Sequence, residues 1–430
     1  MSVDTSAAGT SQYPPYSEID VSGKAFWDAT AEEREETFAQ LREREPVSWQ
    51  RPIENPVVPN PDDPGYWAVA KHADITYVSR NPDQFVSGRG VLFDDLPVEF
   101  LEMTQSFMAM DPPDHSRLRA LVAKAFTPKQ IKRIEDQVTV AAKEVVDGFA
   151  GEPSGEIEFV SRCAKQLPLR MFSAMFGIPE HLQDQSVKAA QKIISWADPE
   201  HLGDRSAAEV QLEACHELHA IAEEIAGLRR ENPTEDLFTN LVNAEVDGEH
   251  LTNHQIGSFF VLLSVAANDT TMNATSWVLR AFTDFPEQRE WLMEDFEGRI
   301  STAIDEFVRY SSPVMTFRRT AVEDTELGGQ QIRAGDKVVM FYSSGNRDGD
   351  VFVDPEKFDL SRDPNPHVGF GGGGRHMCLG NQLAKSMLRA MWRELLTRVP
   401  DIHATSEPKL LGTNFIRGVK AMDAAFTPER

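Results

Sequence analysis

Apolar positions recur at three- and four-residue spacing over roughly residues 115–300 and again over 380–398, with few internal prolines, and this periodicity predicts long helices. Shorter runs at Gly65–Ala70, Gly335–Phe341 and Phe415–Phe426 read as strands. Proline and glycine clusters at Pro56–Pro64 and Asp363–Gly374 mark loops. No internal repeat or low-complexity tract breaks the pattern, which argues against a solenoid and for a mainly α fold with small sheets. The polar start, residues 1–17, reads as a flexible tail, and residues 18–430 read as a single domain without a composition break.

With 41% hydrophobic and 26% charged residues the chain can fill a large core, yet no apolar run approaches the roughly 20 residues that would span a bilayer. Lys and Arg number 43 against 68 Asp and Glu, and the resulting formal charge of −25 disfavours nucleic acid and anionic membranes as partners. The sign reverses locally: Arg117, Arg119, Lys124, Lys129, Lys132 and Arg133 cluster in one segment, and Arg389 and Arg393 form a second group, together suggesting a dock for an acidic protein. Cys163, Cys215 and Cys378 are too few and too scattered for a disulfide framework, which fits a reducing, cytoplasmic location. The absence of a heptad seam points to a monomer.

The densest chemistry lies between His367 and Gly380, where a run of glycines and basic residues delivers Cys378 to the start of the last helical segment. Glycines let backbone wrap closely around a sulfur, and the amides opening a helix favour a thiolate. No second Cys or His stands at zinc or iron–sulfur spacing, so a haem held by one axial thiolate is the economical reading. Three further patterns accompany it. Asp269 and Thr270 interrupt the apolar helical stretch Val261–Thr271, where they compete with the backbone for hydrogen bonds. Glu306 and Arg309 share one helix face at three-residue spacing, with Arg362 supplying a later cation, and Asp111–Pro113 launch a helix carrying His115 and Arg119 four apart.

Taken in this order, the motifs resemble those of the cytochrome P450 family over most of the chain. The resemblance implies the P450 fold, haem b with Cys378 as axial ligand, and O2 as co-substrate. By the same match Thr270 would serve oxygen binding and Asp269 proton entry, while His115, Arg119, Arg319 and His376 would hold the haem propionates, with Arg375 the runner-up in that loop. Phe370 and Gly380, at the ends of the ligand loop, would also bind the haem, and Glu306, Arg309 and Arg362 would form a structural network. Two departures stand out: Ala267 occupies a position where the family usually has Gly, and the segment from Phe370 to Cys378 is one residue longer than the commonest pattern. Electrons would come from a ferredoxin and its NAD(P)H-dependent reductase, because no flavin or dinucleotide fingerprint occurs in this chain.

For the substrate, Phe93, Phe107, Val265, Ala266 and Val314 match regions that border it in the family, and they predict an apolar lining. The N-terminal third, including Phe26–Trp27, Leu41–Trp49 and Tyr66–Trp67, is similar to an actinobacterial branch that hydroxylates methyl-branched lipids, terpenoids and steroid side chains. A macrolide or polyketide hydroxylase is the rival within the family. A haem-thiolate peroxygenase is disfavoured by the Asp269–Thr270 pair, and a non-catalytic gas sensor or carrier would bind carbon monoxide without consuming reductant.

Overall fold

The computed structural model describes residues 13–125, 128–196, 202–246 and 248–429; the side chains of Lys124 and Lys129 lie outside the described set. Several helices start where local chemistry dictates. Helix α1 (Ala31–Arg44) opens on Thr30, whose hydroxyl accepts from the Glu33 amide while the Glu33 carboxylate accepts from the Thr30 amide. Such a reciprocal cap contributes about 1 kcal/mol. Next come α2 (His72–Arg80), the short α3 (Val98–Met103), α4 (Asp114–Ala125) and α5 (Pro128–Asp147). Helix α6 (Gln166–Phe176) stops at Gly177, whose φ of +60° and crowding by the Asp236 carboxylate exclude a side chain. The distal half of the molecule then adds α7 (Glu180–Ile194), α8 (Ala207–Glu231) and α9 (Asn253–Ala266). The remaining long helices are α10 (Asp269–Asp284), α11 (Phe296–Ser311) and α12 (Asn381–Arg398).

The main sheet draws strands from distant parts of the chain: β1 (Val47–Gln50), β2 (Tyr66–Val69), β3 (Phe85–Val86), β4 (Thr316–Ala321) and β5 (Lys337–Phe341), in spatial order β1-β2-β5-β4-β3. The β2–β5 pair is parallel, with Val338 opposite Trp67, and the other pairs are antiparallel. Period-two alternation sends Trp49, Trp67, Val338 and Met340 to one core cluster and Tyr66, Ala68, Val339 and Phe341 to another. On the helical side, α10, α11 and α12 close around Phe282, Phe307, Phe358 and Trp392, while α6 to α9 meet around Phe172, Phe176 and Phe260. Each fully buried aromatic side chain contributes roughly 2–3 kcal/mol.

The expected strands at 65–70 and 335–341 are β2 and β5. Of Phe415–Phe426 only Val419–Ala421 and Asp423–Ala425 are extended. The long helical region 115–300 is broken by a strand at Glu156–Glu158 and a hairpin pairing Glu245–Val246 with Glu249–His250, in segments rich in glycine. Helices α1 and α2 lie outside the predicted helical regions. The buried apolar anchors of α1 are only Phe38 and Leu41 in an otherwise charged sequence, so its periodicity is faint. Near the start of the described residues, Tyr13 stacks on Trp49 with ring centroids 4.2 Å apart and donates to Asp336 at 2.9 Å, and Ser17 is buried, while Pro14, Pro15 and Tyr16 are exposed. Among the described residues no helix is long and apolar enough to cross a membrane.

Candidate active site

The cysteine loop is held from both ends. Cys378 N donates to the Phe370 carbonyl at 3.0 Å, and Asn381 Nδ2 donates to the Cys378 carbonyl at 2.7 Å. Burial pushes the Cys378 thiol pKa up, while the Gly380 amide and the charge of Arg119 pull it back towards the thiolate. The glycines seat the lengthened loop against the C-terminal turn of α2: a Cβ at Gly372 or Gly374 would collide with Ser79, and Gly374 has φ of +75°.

Upstream, a buried ion network fixes the segment that leads into this loop. Arg309 Nε and Nη2 each meet the Glu306 carboxylate at 2.7 Å, and both side chains are fully buried. The rest of the Arg309 guanidinium donates to the carbonyls of Asn346, Pro355 and Lys357, each at 2.8 Å. Glu306 also accepts from Asp359 N at 2.9 Å and from Asn365 Nδ2 at 3.0 Å, with Arg362 Nε 3.3 Å away. One helix turn thereby ties down residues 346–365, and Asn346 Oδ1 passes the constraint on by accepting from Val368 N at 2.8 Å.

Opposite the loop, α9 ends at Ala266 and α10 begins at Asp269. Two side chains at the junction bind carbonyls four residues back: Asn268 Nδ2 donates to Ser264 O at 2.8 Å and Thr270 Oγ1 to Ala266 O at 3.0 Å. Side chains that engage helix carbonyls in this way bend helices. Ala267 keeps ordinary helical angles, φ −79° and ψ −28°, so the backbone here does not require glycine. Thr270 borders the central cavity, whereas Asp269 lies on the other side of the helix with Lys165 and Gln191. Burial pushes the Asp269 carboxyl up to about 7, partly offset by the Lys165 charge.

Arg119, Arg319 and His376 line one edge of the same cavity, and His115 lies against His376 outside the lining. His115 is buried with both ring nitrogens unpartnered among the described residues, and its ring lies 4.4 Å from that of His376. His376 Nε2 is 3.2 Å from Ser87 Oγ, Arg119 donates to Met377 O at 2.5 Å, and the buried Arg319 donates to Arg318 O at 2.7 Å. Burial, then the charges of Arg319, His115 and Arg119, depress His376 to about 3, and burial with Arg119 also lowers His115. The nearby acid, Asp111, is engaged by the amides of Ser87 and Gly88 at 2.8 Å each. Its charge acts on both His115 and Arg319, but one carboxylate against the guanidiniums of Arg119 and Arg319 leaves this edge net positive, and further carboxylates here would balance it and accept from the histidines. Arg375 is exposed and outside the cavity lining, although its charge reaches both histidines.

The central cavity, ≈ 250 Å³, is bounded by Phe370, Cys378 and Leu383 below and by Ala266, Ala267 and Thr270 above. A second chamber of ≈ 490 Å³ adjoins it, the two sharing Met108, Leu262, Ala266, Thr270, Val314 and Phe317. A single thiol facing an apolar gap, with excess positive charge at one edge, fits a haem with its propionates at that edge. The cytochrome P450 family model matches residues 67–399. The chain belongs to this family.

As a cytochrome P450 it is a monooxygenase that uses haem, ligated by a cysteine thiolate, and O2. It is 40% identical over 416 residues to a methyl-branched lipid omega-hydroxylase of Mycobacterium bovis, covering 96% of both chains. It is 38% identical to a steroid C26-monooxygenase of Rhodococcus jostii, covering 89% of this chain and 80% of that one. Among solved structures, a Mycobacterium marinum cytochrome P450 in complex with pseudoionone is 52% identical with a TM-score of 0.93, covering 96% of this chain and 100% of that one.

Of the residues expected to border substrate, Phe107, Val265, Ala266 and Val314 line the two cavities, and Phe93 does not. Phe93 is a correction: it is 3% exposed and packs edge-on against Trp27, Tyr66 and Phe341 behind the sheet. Sequence reasoning missed Met171 and Phe172 of α6, Ile193 and Ile194 of α7, and Phe415 with Ile416. The only signal for them was an apolar helix face or strand, which core residues share.

Proposed function

We propose that this P450 hydroxylates a terminal methyl group of a methyl-branched lipid, terpenoid or steroid side chain. The supporting observation is the apolar chamber that meets the haem-facing cavity at Ala266, Thr270 and Val314. Such a shape admits an elongated hydrophobic ligand and leaves one end of it facing the reactive centre. The named activities of the mycobacterial and rhodococcal relatives agree with that reading.

When bound, the haem supplies reductive activation of O2 and transfer of one oxygen atom to a C–H bond. Cys378 Sγ would hold its iron, Arg119 and Arg319 would neutralise its propionates, and the uncharged His115 and His376 would donate hydrogen bonds to them. Thr270 Oγ1 donates its hydrogen bond to Ala266 O, which leaves the lone pairs of Oγ1 free to accept from a water in the cavity. Asp269, with a carboxyl near 7, holds or releases a proton at working pH on the Lys165 side of the helix. The apolar walls exclude bulk water around the substrate. Electrons arrive from a ferredoxin that docks on the basic face near the cysteine loop. Arg389 on α12 contributes there, holding Ser301 Oγ at 2.7 Å, as does Arg133, paired with Glu235 at 2.6 Å.

The test is a titration of the ferric protein with a methyl-branched lipid, a linear isoprenoid ketone and a sterol ketone, followed by product analysis with a ferredoxin and reductase. A saturable high-spin shift and oxygen at a terminal methyl are expected. Turnover of macrolides alone would overturn the substrate assignment.

A further inference from the structure

The charged residues around the substrate chamber are unequally satisfied. Asp95 meets Arg318 Nη1 at 2.6 Å and Lys337 Nζ at 2.9 Å, and Lys337 also meets Asp63 at 2.6 Å. Asp94 is buried and accepts from Asn414 Nδ2 at 2.8 Å and Val57 N at 3.3 Å. The two interior cations, Arg318 and Lys337, are thus matched by Asp95 and Asp63. Arg89, which also lines the chamber, has no ion pair or side-chain hydrogen bond among the described residues.

The backbone that presents Arg89 is fixed even though its guanidinium is free. Asp111 accepts from the Ser87 and Gly88 amides, and the Arg89 carbonyl accepts from Arg318 Nη2 at 3.0 Å. Gly90, with φ of +116°, lets the loop pass so close that a Cβ would lie 3.2 Å from Arg318 Nη2. Arg318 itself is 6% exposed, and its Nε has no acceptor among the described residues. One surface-facing cation therefore borders a chamber whose lining is otherwise mostly apolar and which also reaches Thr270, with the Asp95-paired Arg318 beside it. In a chain of charge −25, an anionic ligand is repelled unless a local cation receives it, and a guanidinium matches the two oxygens of a carboxylate.

We propose that Arg89, backed by Arg318, holds the carboxylate of a branched-chain lipid acid, whose chain follows the chamber and brings its far methyl end to Thr270. The inference rests on the branched-lipid reading above and sharpens it from lipids in general to free acids.

The experiment is spin-shift titration of the haem-loaded protein with a methyl-branched fatty acid, its methyl ester and its alcohol, at low and high salt, in wild type, Arg89→Gln and Arg89→Lys. Wild type should bind the acid about fivefold tighter than the ester, the scale of a solvent-facing ion pair. Salt should erode that preference, Arg89→Gln should abolish it, and Arg89→Lys should keep part of it. Equal affinity for acid and ester in wild type, or equal weakening of both by Arg89→Gln, would overturn the carboxylate assignment and leave the branched-lipid reading standing. Failure of acid, ester and alcohol alike to shift the spectrum would remove the branched-lipid reading as well. The salt dependence of wild type decides the matter even where a variant folds poorly.

Discussion

Below the haem-facing cavity, Glu306, Arg309, Asn346 and the glycines of the cysteine loop make directed bonds with little slack, while above it Ile193, Leu262, Val265, Val314 and Phe415 enclose the chamber through shape alone. A directed buried network fails when one member is removed, because its partner is left charged or unpaired without water. An apolar wall loses contacts in proportion to the atoms deleted and can relax around the gap. The cysteine side should therefore tolerate few substitutions, and the chamber should tolerate many at the cost of altered preference.

The largest contrast is expected at the ligand itself. Cys378→Ser should abolish the thiolate signature in the reduced carbon monoxide spectrum, and its persistence would move the axial ligand elsewhere. Next, Arg309→Leu should leave Glu306 buried without its main partner and cost about 3–5 kcal/mol in denaturant unfolding. A loss below 1 kcal/mol would show that the network is not what fixes the loop.

Asp269 tests the junction between the two regions. Its carboxyl is raised from 3.8 to about 7, so the folded chain keeps a proton that the unfolded chain releases. Stability should therefore fall as pH rises from about 4 to about 7, by on the order of 2–4 kcal/mol, and then level off. Asp269→Asn should flatten that fall and be the more stable form above pH 7 while slowing turnover; an unchanged pH–stability curve would contradict the placement of the carboxyl. Thr270→Ala should keep haem and substrate binding yet divert several-fold more reductant into peroxide, and unchanged coupling would remove Thr270 from proton handling. The smallest effect is expected at Phe93. Phe93→Leu should cost about 1–2 kcal/mol of stability and leave ligand affinity within error, whereas a shifted ligand preference would return it to the chamber wall.

Much of the site was legible because its chemistry depends on residue identity. A lone cysteine in a glycine loop, an acid and hydroxyl in an apolar helix, and paired His and Arg one turn apart are unusual enough in sequence to stand out. Phe93 and Phe107 show the limit. Both are aromatics in the same stretch, yet one packs behind the sheet and the other lines the haem-facing cavity, and nothing in their local sequence distinguishes them. The interruption at 156–158 was hidden for a related reason, since its pairing depends on Asp423–Ala425 far along the chain, and the hairpin at 245–250 has two residues per strand, too few for an alternation to show.

The sequence alone determined the haem-thiolate class, the helical character and the residues with directed chemistry, because thiolates, buried ions and helix-breaking polar groups constrain which residue types can occupy their positions. Tertiary structure decided that His115 is left without an acceptor among the described residues and that Asp269 faces Lys165 rather than the cavity. It also decided which apolar side chains enclose the chamber and that Arg89 at its border is left unpaired among the described residues. These properties belong to relations between segments hundreds of residues apart, and burial and pairing exist only once the chain has brought those segments together.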